Sequence, residues 1–381
     1  MPSPFATAWA VLAALYLFTV ALTLLRYGRV RPPAEPAVAA LPRCSIIVPI
    51  KGDSPFLAAN IAALAELEPF AGEVLLAVAE AEDTAIPALA PLLARHGDRA
   101  GGRITLLVGE AAEFANPKLR NIAKAYRAAR EDVILFVDDN VALGPRLFRA
   151  LLGALDGRTA AASAPPLGCD AEGLPAEIEA ATCNGYLFRI EMLLELFGGA
   201  AAFGNALVLR KRDLEAAGGL ARLAEGPCED NALSKALRAG GGRLTLLPLP
   251  IVRRIGRRGW RDIAHRHLRW KNCAKCHDPL LFLLEPLIGG ACFNLLGAFA
   301  LAEFLPISAW AGLGLSALVW YGGEALLHLA CRWPATALTP LAWVLRDLLQ
   351  PLVTVQALFT RHVPWRGEVI DMRIRWPRAF R

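Results

Sequence analysis

The chain has 381 residues, a formal net charge of +6 and eight cysteines; 55% of it is hydrophobic, and its mean hydropathy is +0.39. That length suggests two domains, or one domain with an appendage. So apolar a composition excludes a disordered chain, and eight cysteines are too sparse for a disulfide scaffold.

The apolar excess is concentrated at the two ends. Met1–Leu25 carries no charged side chain, and Phe5 to Leu25 is long enough to cross a hydrocarbon core of about 30 Å at about 1.5 Å per residue. Arg26, Arg29 and Arg31 follow it. A cleaved signal peptide carries its positive charge before the apolar stretch, so residues 1–25 read as an uncleaved anchor with the following chain in the cytoplasm. Residues 26–40, with Pro32, Pro33 and Pro36, read as a stiff linker.

The middle, 41–278, alternates strand-like and helix-like segments. Apolar runs at Cys44–Ile50, Glu73–Ala79, Ile104–Val108 and Asp132–Val137 read as buried strands. Helical stretches at about 55–68, 84–96 and 117–130 lie between them. The alternation predicts an α/β domain with a doubly wound sheet, whose ligands bind beyond the carboxyl ends of the strands. Neither a phosphate-binding P-loop nor a dinucleotide-binding glycine turn is present.

Acidic residues follow three of these strands: Asp53 after Pro49-Ile50-Lys51-Gly52, Asp83 after Glu80-Ala81-Glu82, and Asp138 in Asp138-Asp139-Asn140. Any one of them reads as a helix cap or a solvated loop. Together they mark one sheet edge. Asp138 and Asn140, two apart, suit a hard cation such as Mg²⁺ or Mn²⁺ carrying a diphosphate. Asn205–Arg210 predicts a further strand, then a helix closed by Gly218-Gly219. Cys228-Glu229-Asp230 opens another helix, where Asp230 is either a cap or a general base.

A basic segment follows, with Arg253, Arg254, Arg257, Arg258 and Arg261 before Arg266-His267-Leu268-Arg269-Trp270. Arginine forks suit diphosphate oxygens, and the same run suits anionic lipid. Both explain it without nucleic acid. Cys273-Ala274-Lys275-Cys276-His277 fits the c-type haem attachment pattern, but that attachment occurs outside the cytoplasm, so no haem is expected. The cysteines are scattered through cytoplasmic and membrane segments, which predicts reduced thiols.

Residues 279–332 hold Glu285, Glu303 and Glu324 but no Lys or Arg before Arg332, which leaves room for two spans, about 280–302 and 307–330. Within 333–381, Arg346 and Asp347 sit mid-helix, where a span would tolerate them poorly. This predicts an interfacial amphipathic helix near 336–359 and a basic cytoplasmic tail.

The order of these motifs resembles the membrane-bound inverting glycosyltransferases of GT-A fold, and most closely the ceramide glucosyltransferases. The likeness rests on Pro49-Ile50-Lys51-Gly52, Asn116-Pro117-Lys118, Leu209–Leu214, Glu229-Asp230, Arg266-x-x-Arg269-Trp270, Glu285-Pro286 and Trp365-Arg366. It covers nearly the whole chain. The resemblance implies a GT-A-like mixed sheet flanked by helices, with transmembrane helices at both ends and an inner-membrane, multi-pass location. It implies Asp230 as the base, and Pro49, Lys51, Asp83, Lys118, Asp138, Arg266, Arg269 and Trp270 as the donor site. Asp138 and Asn140 would hold Mg²⁺ or Mn²⁺; Asn140 departs from the family's aspartate and is the weaker ligand. The implied partners are a UDP-sugar, a lipid acceptor such as ceramide, and the membrane. The implied reaction is transfer of glucose to ceramide with inversion. A hopanoid or diacylglycerol acceptor, with UDP-N-acetylglucosamine as donor, remains open. A processive polysaccharide synthase would need more spans to form a channel.

Overall fold

The computed structural model describes residues 2–28, 41–67, 71–97, 103–199, 204–224, 228–365 and 367–372. Most of the predicted linker, Arg366 and the tail beyond 372 lie outside the described residues. In chain order the elements are α1 Pro4–Thr23, extended by a π-helical turn Leu24–Gly28, then β1 Cys44–Ile50, α2 Leu57–Ala65, β2 Ala71–Val78, α3 Ala85–His96, β3 Ile104–Val108, α4 Pro117–Ala128, β4 Val133–Val137 and β5 Val141–Ala142. They continue with α5 Pro145–Ala154, β6 Thr159–Ser163, β7 Pro166–Glu172, α6 Leu174–Ala181, a π-helical segment Thr182–Leu187, α7 Phe188–Leu196, β8 Ala206–Arg210, α8 Lys211–Ala216, α9 Gly219–Leu223 and α10 Glu229–Ala239. The rest are β9 Arg243–Leu246, β10 Ile251–Arg257, α11 Trp260–His277, α12 Pro279–Leu284, α13 Gly290–Phe304, α14 Ala309–Cys331, α15 Thr339–Phe359, β11 His362–Trp365 and β12 Glu368–Asp371.

The chain divides into two compact units. One comprises Arg31–Leu167, Leu194–Arg254 and Ile374–Arg381; the other comprises Met1–Val30, Gly168–Leu193 and Ile255–Arg373. The first holds a seven-stranded sheet in the order β3-β2-β1-β4-β8-β6-β9. β1, β2, β3 and β4 pair in parallel, as their short, uniformly apolar runs imply. β8 pairs antiparallel with both β4 and β6, which makes the sheet mixed rather than doubly wound and parallel. Pro49 is accommodated because the pairing of β1 with β4 ends at Ile47, leaving a neighbour on one side only. Ile46, Val48, Leu76, Leu135 and Val208 are fully buried in its core.

The second unit is mainly helical. Among the described residues one helix, Pro4–Tyr27, is both long and apolar enough to cross a membrane. Tyr16 of α1 stacks on Trp320 of α14 with ring centroids 4.1 Å apart, and its hydroxyl donates to the Trp320 carbonyl. The predicted span at 280–302 is broken: α12 ends at Leu284 and α13 starts at Gly290, with Pro286 between them. α13 has 15 residues, so it runs about 22 Å, short of the hydrocarbon thickness. Large apolar side chains nevertheless face outward, with Trp310, Leu329 and Phe359 exposed by 83%, 80% and 82%.

Arg346 and Asp347 of α15, which the sequence reading puts at a membrane surface, are buried. Arg346 pairs with Asp347 at 2.8 Å and with Glu324 of α14 at 3.2 Å, and donates to the Ala181 carbonyl at 2.9 Å. Six cysteines (Cys44, Cys169, Cys183, Cys276, Cys292 and Cys331) are free thiols.

Candidate active site

The predicted acids of the sheet unit lie at the carboxyl ends of its parallel strands. Asp83, beyond β2, accepts from the Gly52 amide at 2.9 and 3.1 Å and from the Ala85 amide at 2.8 Å. It thereby ties the turn after β1 to the start of α3. Gly52 has φ +76°, a left-handed conformation that favours glycine. Lys51 stands 3.9 Å from Glu80 at the rim. Asn121 of α4 donates to the carbonyls of Ile50 and Ala77, which fastens the ends of β1 and β2 together.

Asp138 begins the turn after β4. Its amide donates to the Asn205 carbonyl at 2.9 Å, and its carboxylate accepts from the Asn205 side chain at 3.0 Å. The β4–β8 pairing thus fixes it. Lys118 reaches the same carboxylate at 3.0 Å and Glu229 at 2.8 Å. Lys118 is set by the start of α4, where Asn116 caps the helix by accepting from the amides of Lys118 and Leu119, and Pro117 occupies the first turn. Asn116 also donates to Glu229 at 3.4 Å.

Asp230, in the first turn of α10, accepts from the amides of Asn231 at 2.8 Å and Gly204 at 3.3 Å. A Cβ on Gly204 would stand 3.2 Å from Lys118 Nζ, 3.3 Å from Asp230 Oδ2 and 3.5 Å from Glu229 Oε1. Lys118, Asp138, Glu229 and Asp230 therefore form one charged cluster floored by a glycine. Burial pushes the Asp230 carboxyl up to about 6; the Glu229 charge adds to this, and Lys118 and the two amides oppose it. Burial acts the same way on Glu229, but Lys118 outweighs it and holds Glu229 below the usual carboxylate range. Burial disfavours the Lys118 ammonium, yet Asp138 and Glu229 outweigh it and push the pKa up. The pair Lys118–Glu229 is thus firmly ionised. Asp230 is a carboxylate whose basicity is raised toward neutrality, as a general base requires.

Asp139 and Asn140 complete the turn: the Asp139 carbonyl accepts from Asn60, and the Asn140 carbonyl accepts from the Arg254 amide. Among the described residues no group of three or more His, Cys, Asp or Glu side chains is arranged to hold a metal ion. Asp138 with Asn140 supplies hard oxygen donors, and this set fits a divalent ion that takes further ligands from a diphosphate.

Arg266, Arg269 and Trp270 lie on α11, in the helical unit. Arg266 stands 3.3 Å from Glu179 of α6, a fully buried carboxylate that also lies 3.7 Å from Arg258. The Arg266 guanidinium lies 6.0 Å from the Trp270 ring centroid, and His267 stacks on the same ring. Sequence reading took Asn116-Pro117-Lys118 as shaping the donor pocket and assigned no role to Glu229, Gly204 or Asn205. Glu229 and Asn116 stood inside quoted motifs and were legible as polar residues at helix starts. Gly204 acts through its backbone and Asn205 through both its carbonyl and its side chain, and no local pattern marks either.

The profile of glycosyl transferase family 21 matches residues 6–379. Ceramide glucosyltransferase 1 of Caenorhabditis elegans is 24% identical over 95% of this chain and 78% of its own length. Ceramide glucosyltransferase 3 of the same organism is 24% identical over 87% and 73%. The fold is similar to that of a mannosyltransferase from Pyrobaculum calidifontis solved with GDP-Man and Mn²⁺, with a TM-score of 0.53 at 16% identity over 93% of this chain and 99% of that one. A profile match over almost the whole chain, together with a mixed sheet of the same fold, makes this chain a member of glycosyl transferase family 21 and a glycosyltransferase.

Proposed function

We propose that the protein transfers glucose from UDP-glucose to the primary hydroxyl of ceramide, with inversion at the anomeric carbon. The observation that carries this reading is Asp230, a half-buried carboxylate with raised basicity at the sheet edge of a chain matched over most of its length by ceramide glucosyltransferases. In the transfer, the acceptor oxygen attacks the anomeric carbon as Asp230 takes its proton. The bond from that carbon to the diphosphate oxygen breaks, and UDP leaves. A single displacement inverts configuration and needs no covalent intermediate.

Pro49, Lys51 and Asp83 frame the nucleotide end of the donor site, Asp83 through its hold on the Gly52 turn. Lys118 supplies positive charge to the diphosphate, joined by Arg266 and Arg269 with Trp270 beside them. Asp138 and Asn140 are the residues that would hold Mg²⁺ or Mn²⁺; a bound ion supplies charge stabilisation to the leaving diphosphate. The solved mannosyltransferase of similar fold holds a nucleotide sugar and Mn²⁺, which supports this part of the reading.

The exposed apolar side chains of α1 and α12–α15 support a membrane-embedded acceptor side. In this reading residues 1–25 anchor the chain, 41–278 form the catalytic domain in the cytoplasm, and 279–332 re-enter the inner membrane. The test is transfer from radiolabelled UDP-glucose to ceramide in membranes carrying the protein, with Asp230→Asn alongside. A glucosylated ceramide that the substitution abolishes is the expected result. A labelled product on hopanoid or diacylglycerol, with none on ceramide, would overturn the acceptor assignment.

A further inference from the structure

The Asp138 carboxylate, the acid that the donor reading gives to a divalent ion, has both oxygens engaged within the sheet unit. Its Oδ2 accepts from the Asn205 side chain at 3.0 Å, and its Oδ1 stands 3.0 Å from Lys118 Nζ. The Lys118 ammonium carries three N–H donors. Among the described residues three acceptors meet it: Asp138 Oδ1, Glu229 Oε1 at 2.8 Å and the Gly204 carbonyl at 3.4 Å. The Lys118 side chain is only 14% exposed, so water does little to replace a lost partner.

Two of these three contacts are fixed from behind. Glu229 stands in the first turn of α10 and accepts from the Asn116 side chain through its other oxygen. Gly204 donates its amide to Asp230. Asp138 is the more exposed of the two carboxylates, 28% against 19%, and is the contact that can be exchanged. Lys118 must leave Oδ1 before a divalent ion can reach it, because two cations repel at that distance. With an ion alone, Lys118 keeps one N–H without an acceptor and gains a positive neighbour. With a diphosphate, Lys118 finds a phosphate oxygen in place of Asp138, and the negative charge offsets both cations.

We propose that Lys118 occupies the metal-binding oxygen of Asp138 until a nucleoside diphosphate draws it away, so that this chain takes up its divalent ion together with the donor and not before it. The proposal rests on the donor-site reading above, which gives Asp138 to the ion and Lys118 to the diphosphate. It adds the competition between them. Binding is then linked in both directions: the nucleotide tightens the ion and the ion tightens the nucleotide by the same factor. Part of that factor is the cost of moving Lys118, and that part disappears with the lysine.

The test measures Mn²⁺ binding to the full chain in lipid nanodiscs by electron paramagnetic resonance, with and without UDP, and involves no turnover. Lys118→Met removes the ammonium and keeps most of the side chain's bulk. Lys118→Gln, whose amide can still donate to Glu229, is a second variant with the same expectation. Lys124→Met removes an equal charge from the same helix, where Nζ bonds to Asn121 rather than Asp138, and controls for the general field. Without UDP, both Lys118 variants are expected to bind Mn²⁺ about tenfold more tightly than the wild type, and Lys124→Met to match the wild type. Adding UDP is expected to raise the wild type's affinity for Mn²⁺ by a larger factor than that of either Lys118 variant. Mn²⁺ affinity without UDP that neither Lys118 variant improves overturns the proposal and leaves the donor site as read. So does an equal gain from Lys124→Met, which would make the effect one of net charge. Failure of every protein to bind Mn²⁺ even with UDP overturns the assignment of the ion to Asp138, and the proposal with it.

Discussion

Asp230 shows what a single residue gains from its surroundings. Its carboxyl sits at about 6 because burial and Glu229 together outweigh Lys118 and two amide donors. A base must be ionised to accept a proton, so kcat/KM should fall as pH drops through about 6 in a pH–rate profile of donor-saturated membranes. The same shift carries a stability consequence. A carboxyl whose folded pKa is raised destabilises the fold above that pKa and costs nothing below its unfolded value of about 3.8. Asp230→Asn should therefore abolish transfer and yet raise stability by about 1–3 kcal/mol at pH 7.5, with no gain below about pH 3.5. Thermal unfolding at the two pH values checks the sign. A substitution that destabilises at neutral pH would mean that the carboxylate is held by more than the contacts described. Sequence alone identified Asp230 and left open whether it caps α10 or acts as base. Its raised pKa depends on Glu229, Lys118 and the Gly204 amide, of which only Glu229 is a chain neighbour.

At the scale of elements, the start of α4 carries the most consequence. Asn116 caps the helix with one side-chain oxygen and reaches Glu229 with its amide, so one residue sets both the helix and the placement of Lys118. Asn116→Ala should cost about 1 kcal/mol of stability, and Asn116→Ser should restore most of it, because serine also caps. Calorimetry on both variants checks this; equal losses would show that the contact to Glu229, not the cap, holds the helix start. The Asn-Pro-Lys pattern was legible as a helix entry because capping is local chemistry. Its link to α10 was not, because Glu229 is 113 residues away in sequence. The strands were similarly legible: β1 and β3 run over the residues that apolar patterning marks. The antiparallel insertion of β8 between β4 and β6 was not, since its run of Ala206–Arg210 is as apolar as a parallel strand's.

For the whole molecule, the arrangement across the membrane is the outstanding prediction. The topology proposed above, from the positive charges after α1 and in the tail, has the amino terminus outside and the carboxyl terminus in the cytoplasm. A carboxyl-terminal fluorescent reporter should be bright, and a phosphatase reporter at the same place inactive; the opposite pair would invert the topology. What the sequence determined by itself was the local chemistry. It marked the apolar amino-terminal helix, the alternation of strands and helices, the acids after strands and the polar helix starts, because each depends on residues close along the chain. Tertiary structure alone decided the mixed order of the sheet and the break at 285–289. It also decided the burial of Arg346 between Asp347 and Glu324. A charge mid-helix looks like an interfacial residue until its partner on another helix is known. Pairing energy depends on distance in space, which no local pattern encodes.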